Sequence, residues 1–179
     1  MIANILNAIT LSRIFCAILI YLILFLESNY SLALFLFFVA SFSDFLDGYL
    51  ARKTDSVSVL GEILDPIADK LLIVFVLIGL SINLDSFLIG FISAIIISRE
   101  IWVAALRDIN SRNNQSDKTK VTFLAKTKTA IQMLSILMYL FGLTINNMMI
   151  LFFADIILII ALLVTIQTGF QYTISTFKK

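Results

Sequence analysis

Long apolar segments separated by short polar connections make up almost the whole chain. Each segment is about the length of one helical crossing of a bilayer, which takes roughly 20 mostly apolar residues. None shows the alternating pattern of a membrane β-strand, so we expect helices, whose backbone polar groups are bonded within one segment. The pattern predicts an all-α polytopic membrane protein with six transmembrane helices, over Ile5–Leu26, Ser31–Leu50, Leu60–Ile82, Ser86–Leu106, Phe123–Thr144 and Met148–Tyr172.

Composition supports this prediction and narrows the function classes. Of 179 residues, 60% are apolar and 14% charged, whereas a soluble domain has about 45–50% apolar and about 25% charged residues. An ordinary soluble enzyme, a disordered segment and a nucleic-acid-binding protein are therefore excluded. The first apolar segment has no early basic region and no small-residue cleavage site, so we expect a retained helix rather than a signal peptide. We predict a single transmembrane domain over residues 1–179.

The distribution of the thirteen lysines and arginines predicts the orientation. Three connections, near Glu27–Tyr30, Asn83–Asp85 and Asn146–Asn147, contain none of them. The other two connections and the C-terminal tail are basic, and the basic residues inside the predicted helices lie toward the same side. By the positive-inside rule, we expect a multi-pass protein of the cell (cytoplasmic) membrane with both termini in the cytoplasm.

Acidic residues are concentrated in the second and third predicted helices. Asp44 and Asp47 are spaced i,i+3 and Asp65 and Asp69 are spaced i,i+4, so each pair lies on one helical face. A short connection lets the two helices run antiparallel with these faces meeting near the cytoplasmic side. Carboxylates at membrane depth cost several kcal/mol and are usually functional. We therefore expect a functional site here.

The chemistry of this site is constrained by residues the chain lacks. Neighbouring carboxylates in a low-dielectric site repel one another, so they either share protons or are neutralised by divalent cations. The chain has no histidine and one cysteine, Cys16. Oxygen ligands favour Mg²⁺, Mn²⁺ or Ca²⁺. Without histidine, proton transfer requires a carboxylate, a lysine or a tyrosine.

The same region carries an extended motif. It is Asp44-x2-Asp47-Gly48-x2-Ala51-Arg52-x8-Gly61-x3-Asp65-x3-Asp69. This order resembles the signature of the CDP-alcohol phosphotransferase family, with all eight fixed positions at the family spacing. Segments beginning at Asn7, Arg99 and Ala125 also resemble members of that family that use glycerol 3-phosphate. The chain departs from those members at Leu6, where they commonly have proline.

The resemblance implies a reaction and a set of site residues. The phosphatidyl group of CDP-diacylglycerol would pass to the primary hydroxyl of sn-glycerol 3-phosphate, with release of CMP. Asp44, Asp47, Asp65 and Asp69 would hold two divalent cations, Mg²⁺ or Mn²⁺, and Asp69 would also be the catalytic general base. The residues implied in nucleotide binding are Asn7, Thr10, Gly48, Ala51, Arg52, Ser58 and Gly61. The family resemblance also suggests a homodimer surrounded by membrane lipids.

Basic residues are the candidates for binding the phosphate of the acceptor. Glycerol 3-phosphate is a dianion, which calls for a cationic pocket. The resemblance and the charge distribution both indicate Arg107, Lys126 and Lys128, with Arg112 as a further candidate. Each could instead be a topology signal or a contact with anionic lipid headgroups.

Two other functions are compatible with the motif. One is an enzyme of the same family with another acceptor: serine, inositol phosphate or phosphatidylglycerol. The other is a cation transporter that uses the same aspartates, although paired repeats or broken helices typical of transporters are not evident in the sequence. A purely structural membrane subunit would give no reason for the aspartate spacing. Asp155, inside the last predicted helix, belongs to none of these motifs.

Overall fold

A computed structural model describes residues 2–27, 29–54, 59–115, 117 and 123–178. The side chains at 2–6, 27, 44–54, 59–60, 62, 123 and 125–126 are outside this description. The described residues are helical throughout, with short turns and no strand. The elements are α1 (Ile2–Leu22), which continues into a π-helical turn (Ile23–Glu27), α2 (Tyr30–Thr54), α3 (Val59–Asn83), α4 (Phe87–Arg112), α5 (Phe123–Thr144) and α6 (Met148–Phe177).

The all-helical prediction is confirmed, and each of the predicted helices is present. Helices α2, α4 and α6 continue past their predicted ends at Leu50, Leu106 and Tyr172. The prediction followed the apolar run, whereas backbone hydrogen bonding continues through polar turns that the apolar pattern does not mark.

Three described helices are long and apolar enough to cross a membrane: Asn7–Leu26, Phe87–Arg112 and Met148–Phe177. A shorter apolar helix spans Tyr30–Ser43. Six membrane crossings therefore remain a prediction, while the presence of several long apolar helices is confirmed.

Contacts between side chains show how α1, α2 and α3 are oriented. Thr10 contacts Asp65 near the beginning of α1 and α3, and the Asn83 side chain donates to the Leu24 carbonyl oxygen near their ends, at 2.8 Å. Helices α1 and α3 are therefore parallel neighbours. The hydroxyl of Tyr30, in the first turn of α2, donates to Asn83 at 3.1 Å, so α2 begins where α3 ends.

The remaining helices also alternate in direction along the chain. Helices α5 and α6 form an antiparallel hairpin, in which Gln132 donates to Thr165 at 3.1 Å. Helices α4 and α6 are parallel, because Arg99 contacts Thr168 and, further along, Asn110 contacts Thr176. The first turns of α1, α3 and α5 and the last turns of α2, α4 and α6 thus lie together. We call this end of the molecule the site end.

Apolar side chains form the core and also much of the outer surface. Buried residues of several helices, including Ile20, Phe37 and Leu77, pack into one cluster. Large apolar side chains such as Phe15 and Phe170 are nevertheless exposed on the outside. An apolar exterior of this kind is typical of a surface that faces lipid or another protein, which agrees with the membrane prediction.

Candidate active site

Two polar residues of α1 meet two aspartates of α3 at the site end. The Thr10 hydroxyl donates to Asp65 Oδ1 at 2.6 Å, and Arg13 Nη1 donates to Asp69 Oδ1 at 2.8 Å. Thr10 and Arg13 are spaced i,i+3 and the aspartates i,i+4, so each pair lies on one face of its helix. Because α1 and α3 are parallel, the two contacts form one after the other along the same interface.

Burial differs between the two sides of this interface. The Arg13 side chain is 0% exposed, whereas the Asp69 side chain is 28% exposed. A buried guanidinium is strongly unfavourable unless it is paired, and hydrogen bonds between ionised groups are the stronger ones. Arg13 and Thr10 therefore bind the two carboxylates from the buried side of the interface, while the carboxylates themselves remain partly exposed.

Asp65 and Asp69 are the described members of the predicted metal-ligand set. Within the described part of the chain, no group of three or more acidic, histidine or cysteine residues forms a metal site. The α2 backbone places Asp44 and Asp47 in its last turns, at the site end, and their side chains lie outside the description. A carboxylate can accept a hydrogen bond and still bind a cation, and metal-binding carboxylates are usually hydrogen-bonded in this way. Asp65 and Asp69 thus fit part of an oxygen-ligated cation site.

The predicted nucleotide-binding residues are divided between described and undescribed positions. Asn7 and Gly61 are partly exposed and lie about one helical turn before Thr10 and Asp65, respectively. The structure gives Thr10 a carboxylate partner, a contact that the sequence does not reveal. The remaining predicted contacts fall on positions whose side chains are outside the description, namely Gly48, Ala51, Arg52 and Ser58.

A second cluster of charged residues joins α3, α4 and α5. Glu100 accepts hydrogen bonds from Arg99 Nη1, at 2.9 Å, and from Lys128 Nζ. Lys70 Nζ lies 3.7 Å from the other oxygen of Glu100. Since Lys70 directly follows Asp69 in α3, this cationic cluster adjoins the α1–α3 site.

The cationic cluster has more positive than negative charge. Three cations surround one carboxylate, and Arg99 and Lys128 are buried. Arg99 also donates to Thr168 at 2.9 Å, but its buried Nε has no hydrogen-bond partner among the described atoms. Buried charge and unsatisfied donors are costly. The arrangement is therefore suited to an anion, which would offset the excess charge.

The predicted acceptor-binding residues have different surroundings. Lys128 is buried and paired with Glu100, which the sequence does not indicate. Arg107 is exposed, and its Cζ lies 5.5 Å from the centroid of the Tyr172 ring. Arg112 is exposed and pairs with Asp108, one turn earlier, at 2.8 Å. The Lys126 side chain is outside the description.

The sequence pattern alone assigns no role to three charged residues of the site, namely Arg13, Arg99 and Glu100. Arg13 and Arg99 fit the general excess of basic residues on one side, and Glu100 occurs only within a segment that resembles the family. Their position inside apolar segments is the signal that could have identified them, because ionisable residues at membrane depth are usually functional.

Asp155 has a separate environment at the other end of the α5–α6 hairpin. It accepts a hydrogen bond from the hydroxyl of Tyr139, whose side chain is buried. Next to this contact, the Ser135 hydroxyl donates to the carbonyl oxygen of Ala154 at 3.0 Å. Asp155 thus joins two helices and is not part of the site.

Known proteins resemble this chain over nearly its whole length. The family model described as CDP-alcohol phosphatidyltransferase matches residues 3–167. The CDP-diacylglycerol–glycerol-3-phosphate 3-phosphatidyltransferase of Rickettsia bellii is 38% identical over 172 residues, 94% of this chain and 93% of the relative. The protein of the same name from Haemophilus influenzae is 38% identical over 149 residues, 82% of this chain and 78% of the relative. The one from Escherichia coli is 30% identical over 135 residues, 74% of each chain. The motif, the site and these matches agree: the chain belongs to the CDP-alcohol phosphatidyltransferase family.

Proposed function

We propose that this chain is a CDP-diacylglycerol–glycerol-3-phosphate 3-phosphatidyltransferase, a phosphotransferase for substituted phosphate groups. It would convert CDP-diacylglycerol and sn-glycerol 3-phosphate into phosphatidylglycerophosphate and CMP. The observation that carries the proposal is the adjacency of two unlike clusters at the site end. Asp69 belongs to the carboxylate pair facing α1, and Lys70, the next residue, reaches the cationic cluster on α4 and α5.

The carboxylates supply the reactive part of the site. Asp44, Asp47, Asp65 and Asp69 would hold two divalent cations, Mg²⁺ or Mn²⁺, and these would neutralise charge on the pyrophosphate and the leaving group. Asp69 accepts the proton of the acceptor hydroxyl as the hydroxyl oxygen attacks the phosphorus that bears diacylglycerol. The bond from that phosphorus to the CMP oxygen breaks, and CMP leaves with the electron pair. With no histidine in the chain, a carboxylate is the natural base.

Two side chains of α1 hold the carboxylates of α3 in place. Arg13 orients Asp69, and Thr10 orients Asp65. The nucleotide would be bound beside them by Asn7, Thr10, Gly61 and the α2 residues of the motif, together with Ser58. Such positioning matters because a reacting group displaced by about 1 Å can cost roughly a hundredfold in rate.

The cationic cluster supplies the acceptor subsite. Arg107 and Lys128, with Lys126 and Arg112 as further candidates, would bind the phosphate of glycerol 3-phosphate. The excess positive charge around Glu100 supports an anionic acceptor rather than a neutral one. Arg99 and Lys70 would add to the attraction without direct contact.

The membrane arrangement follows from the alternating helices. We propose six crossings in the cell membrane, with the site end and both termini in the cytoplasm. Alternation brings the basic turns of different helices, including Arg13, Arg107 and Lys128, to the same end, as the positive-inside rule requires for a cytoplasmic face. The apolar exterior lets the acyl chains of the donor stay in the bilayer. The family resemblance is our reason for proposing a homodimer, which light scattering of the purified protein would test.

An acceptor-dependence assay tests the reaction. The purified protein is incubated in mixed micelles with CDP-diacylglycerol, Mg²⁺ and one acceptor at a time: glycerol 3-phosphate, serine, inositol phosphate or phosphatidylglycerol. We expect CMP release with glycerol 3-phosphate and its loss when a chelator is added. Release with another acceptor, but not with glycerol 3-phosphate, would contradict the proposed substrate.

A second assay separates the enzyme from a cation transporter. Asp69→Asn is compared with Asp85→Asn, which alters an exposed aspartate in the turn between α3 and α4, at the other end of the molecule. We expect only Asp69→Asn to abolish phosphatidyl transfer. If Asp69→Asn retained transfer but abolished cation flux in liposomes, the chain would be a transporter.

A further inference from the structure

Tyr172 of α6 contacts two arginines of α4. The Cζ atoms of Arg107 and Arg99 lie 5.5 and 5.6 Å from the centroid of its ring. Tyr172 is 3% exposed, and the ring packs with Val103 and Leu106, which lie between the two arginines along α4. A guanidinium at this distance from an aromatic ring is attracted by the ring electrons, so the ring holds both cations.

Hydrogen bonds between α4 and α6 keep Tyr172 in position. Before it in α6, Thr168 accepts from Arg99 at 2.9 Å. The Trp102 side chain donates to Thr173 at 2.9 Å, next to Tyr172 along α6. Further along, Asn110 donates to Thr176 at 2.8 Å. The ring therefore lies in a part of α6 that is bonded to α4 before it, at Thr168, and after it, at Thr173 and Thr176.

Arg107 differs from the other two arginines of α4. Its side chain is held by the Tyr172 ring, but its guanidinium N–H donors are not used in an ion pair within the described part of the chain. Arg99 is bonded to Glu100 and Thr168, and Arg112 is paired with Asp108. Arg107 is exposed, and in the described part of the chain its recorded contact is the Tyr172 ring, with no ion pair. A planar guanidinium with free donors matches the geometry of a phosphate.

We propose that Tyr172 is a positioning residue that holds Arg107 ready for the phosphate of the acceptor. An arginine side chain loses rotamer freedom when it binds a ligand, and a side chain already held on a ring loses less. Tyr172 thus lowers the KM for an acceptor with a phosphate group and leaves binding of the nucleotide donor unchanged. The inference rests on the proposed function. It concerns a residue beyond the segment matched by the family model, residues 3–167.

The kinetics of three variants test this role. Tyr172→Leu removes the ring and should raise the KM for glycerol 3-phosphate about three- to tenfold, from the usual strength of a cation–π contact. The KM for CDP-diacylglycerol should stay within about twofold of the original, since that ligand does not depend on the ring. Tyr172→Phe keeps the ring and should restore the acceptor KM. Phe170→Leu removes an exposed ring of the same helix and is the matched control, with no change expected.

Three outcomes would overturn the proposal: an unchanged acceptor KM in Tyr172→Leu, an equal rise in both KM values, or a Tyr172→Phe variant as impaired as Tyr172→Leu. If Tyr172→Leu does not fold, Arg107→Lys carries the test, because lysine keeps the charge but loses planar contact with the ring. We expect the same selective rise in acceptor KM, and a normal KM in that variant would contradict the proposal. Failure of the proposed function is distinguishable, because the unmodified protein would then release CMP with serine but not with glycerol 3-phosphate.

Discussion

Arg13 and Asp69 form an ion pair between parallel helices, with Nη1 of Arg13 2.8 Å from Oδ1 of Asp69. The arginine is fully buried, whereas the aspartate is partly exposed. A buried cation therefore stabilises the very carboxylate that the proposed reaction needs as its base. Both residues should affect turnover, but in different ways.

Loss of Asp69 should remove the chemical step. Asp69→Asn keeps the size of the side chain and loses the base, so kcat should fall about 10²- to 10⁴-fold, the usual range for general base catalysis. The measurement is CMP release at saturating concentrations of both substrates. Asp85→Asn serves as the control, and a comparable loss in that variant would mean that the assay reports general damage.

Loss of Arg13 should misplace the base without removing it. Substitution of a residue that orients a metal-binding or catalytic group typically costs about 10- to 100-fold, and we expect Arg13→Gln to lower kcat by that amount. Arg13→Lys keeps the charge and should recover part of the activity. Equal losses in Arg13→Gln and Asp69→Asn would show that Arg13 does more than orient the carboxylate.

Glu100 should be essential for stability, because it is the carboxylate at the centre of the cationic cluster. Glu100→Gln leaves buried cations without their counter-charge, which typically costs about 3–5 kcal/mol. Thermal or denaturant unfolding in detergent measures the effect. The exposed Asp108–Arg112 pair is the natural comparison, since Asp108→Asn should change the free energy of unfolding by about 1 kcal/mol or less. Similar effects of the two substitutions would contradict the role assigned to burial.

The contact between Tyr139 and Asp155 should contribute to stability and not to catalysis. Tyr139→Phe removes the hydroxyl donor from a buried position and should lower the free energy of unfolding by about 1–3 kcal/mol, with both KM values unchanged. Tyr21→Phe is the matched control, because the Tyr21 ring packs against Phe25 and Phe75 and its hydroxyl makes no hydrogen bond in the described part of the chain. An altered acceptor KM in Tyr139→Phe would place Asp155 in the catalytic machinery after all.

The sequence predicts the helices well, because they depend on local patterns, and the same patterns place the acidic pair of α3. Apolar runs define the helices, and the spacing of Asp65 and Asp69 places them on one face of α3. Helix ends are less accurate, since α4 continues through polar residues to Arg112. Local patterns cannot show which helices touch. From the sequence we expect α2 and α3 to meet, whereas the described contacts of the α3 aspartates are with α1.

Side-chain partners were the least predictable part of the site. Lys128 is expected to bind phosphate, but nothing in its neighbourhood along the chain reveals the contact with Glu100, 28 residues earlier. The sequence likewise gives no sign of the role of Tyr172, which is the last residue of an apolar run. Its contact with Arg107 exists only because α4 and α6 pack in parallel at one register.

The separation of Arg13 and Asp69 along the chain has a consequence for biosynthesis. The two residues are 56 positions apart, so α1 leaves the ribosome well before the carboxylate that neutralises its arginine. Until α3 arrives, the ion pair between Arg13 and Asp69 cannot form, so this part of the α1–α3 interface is completed only when the two helices join. A residue of the proposed catalytic site thus also joins two helices that are made at different times, and we expect the abundance of Asp69 variants in the membrane to fall along with their activity.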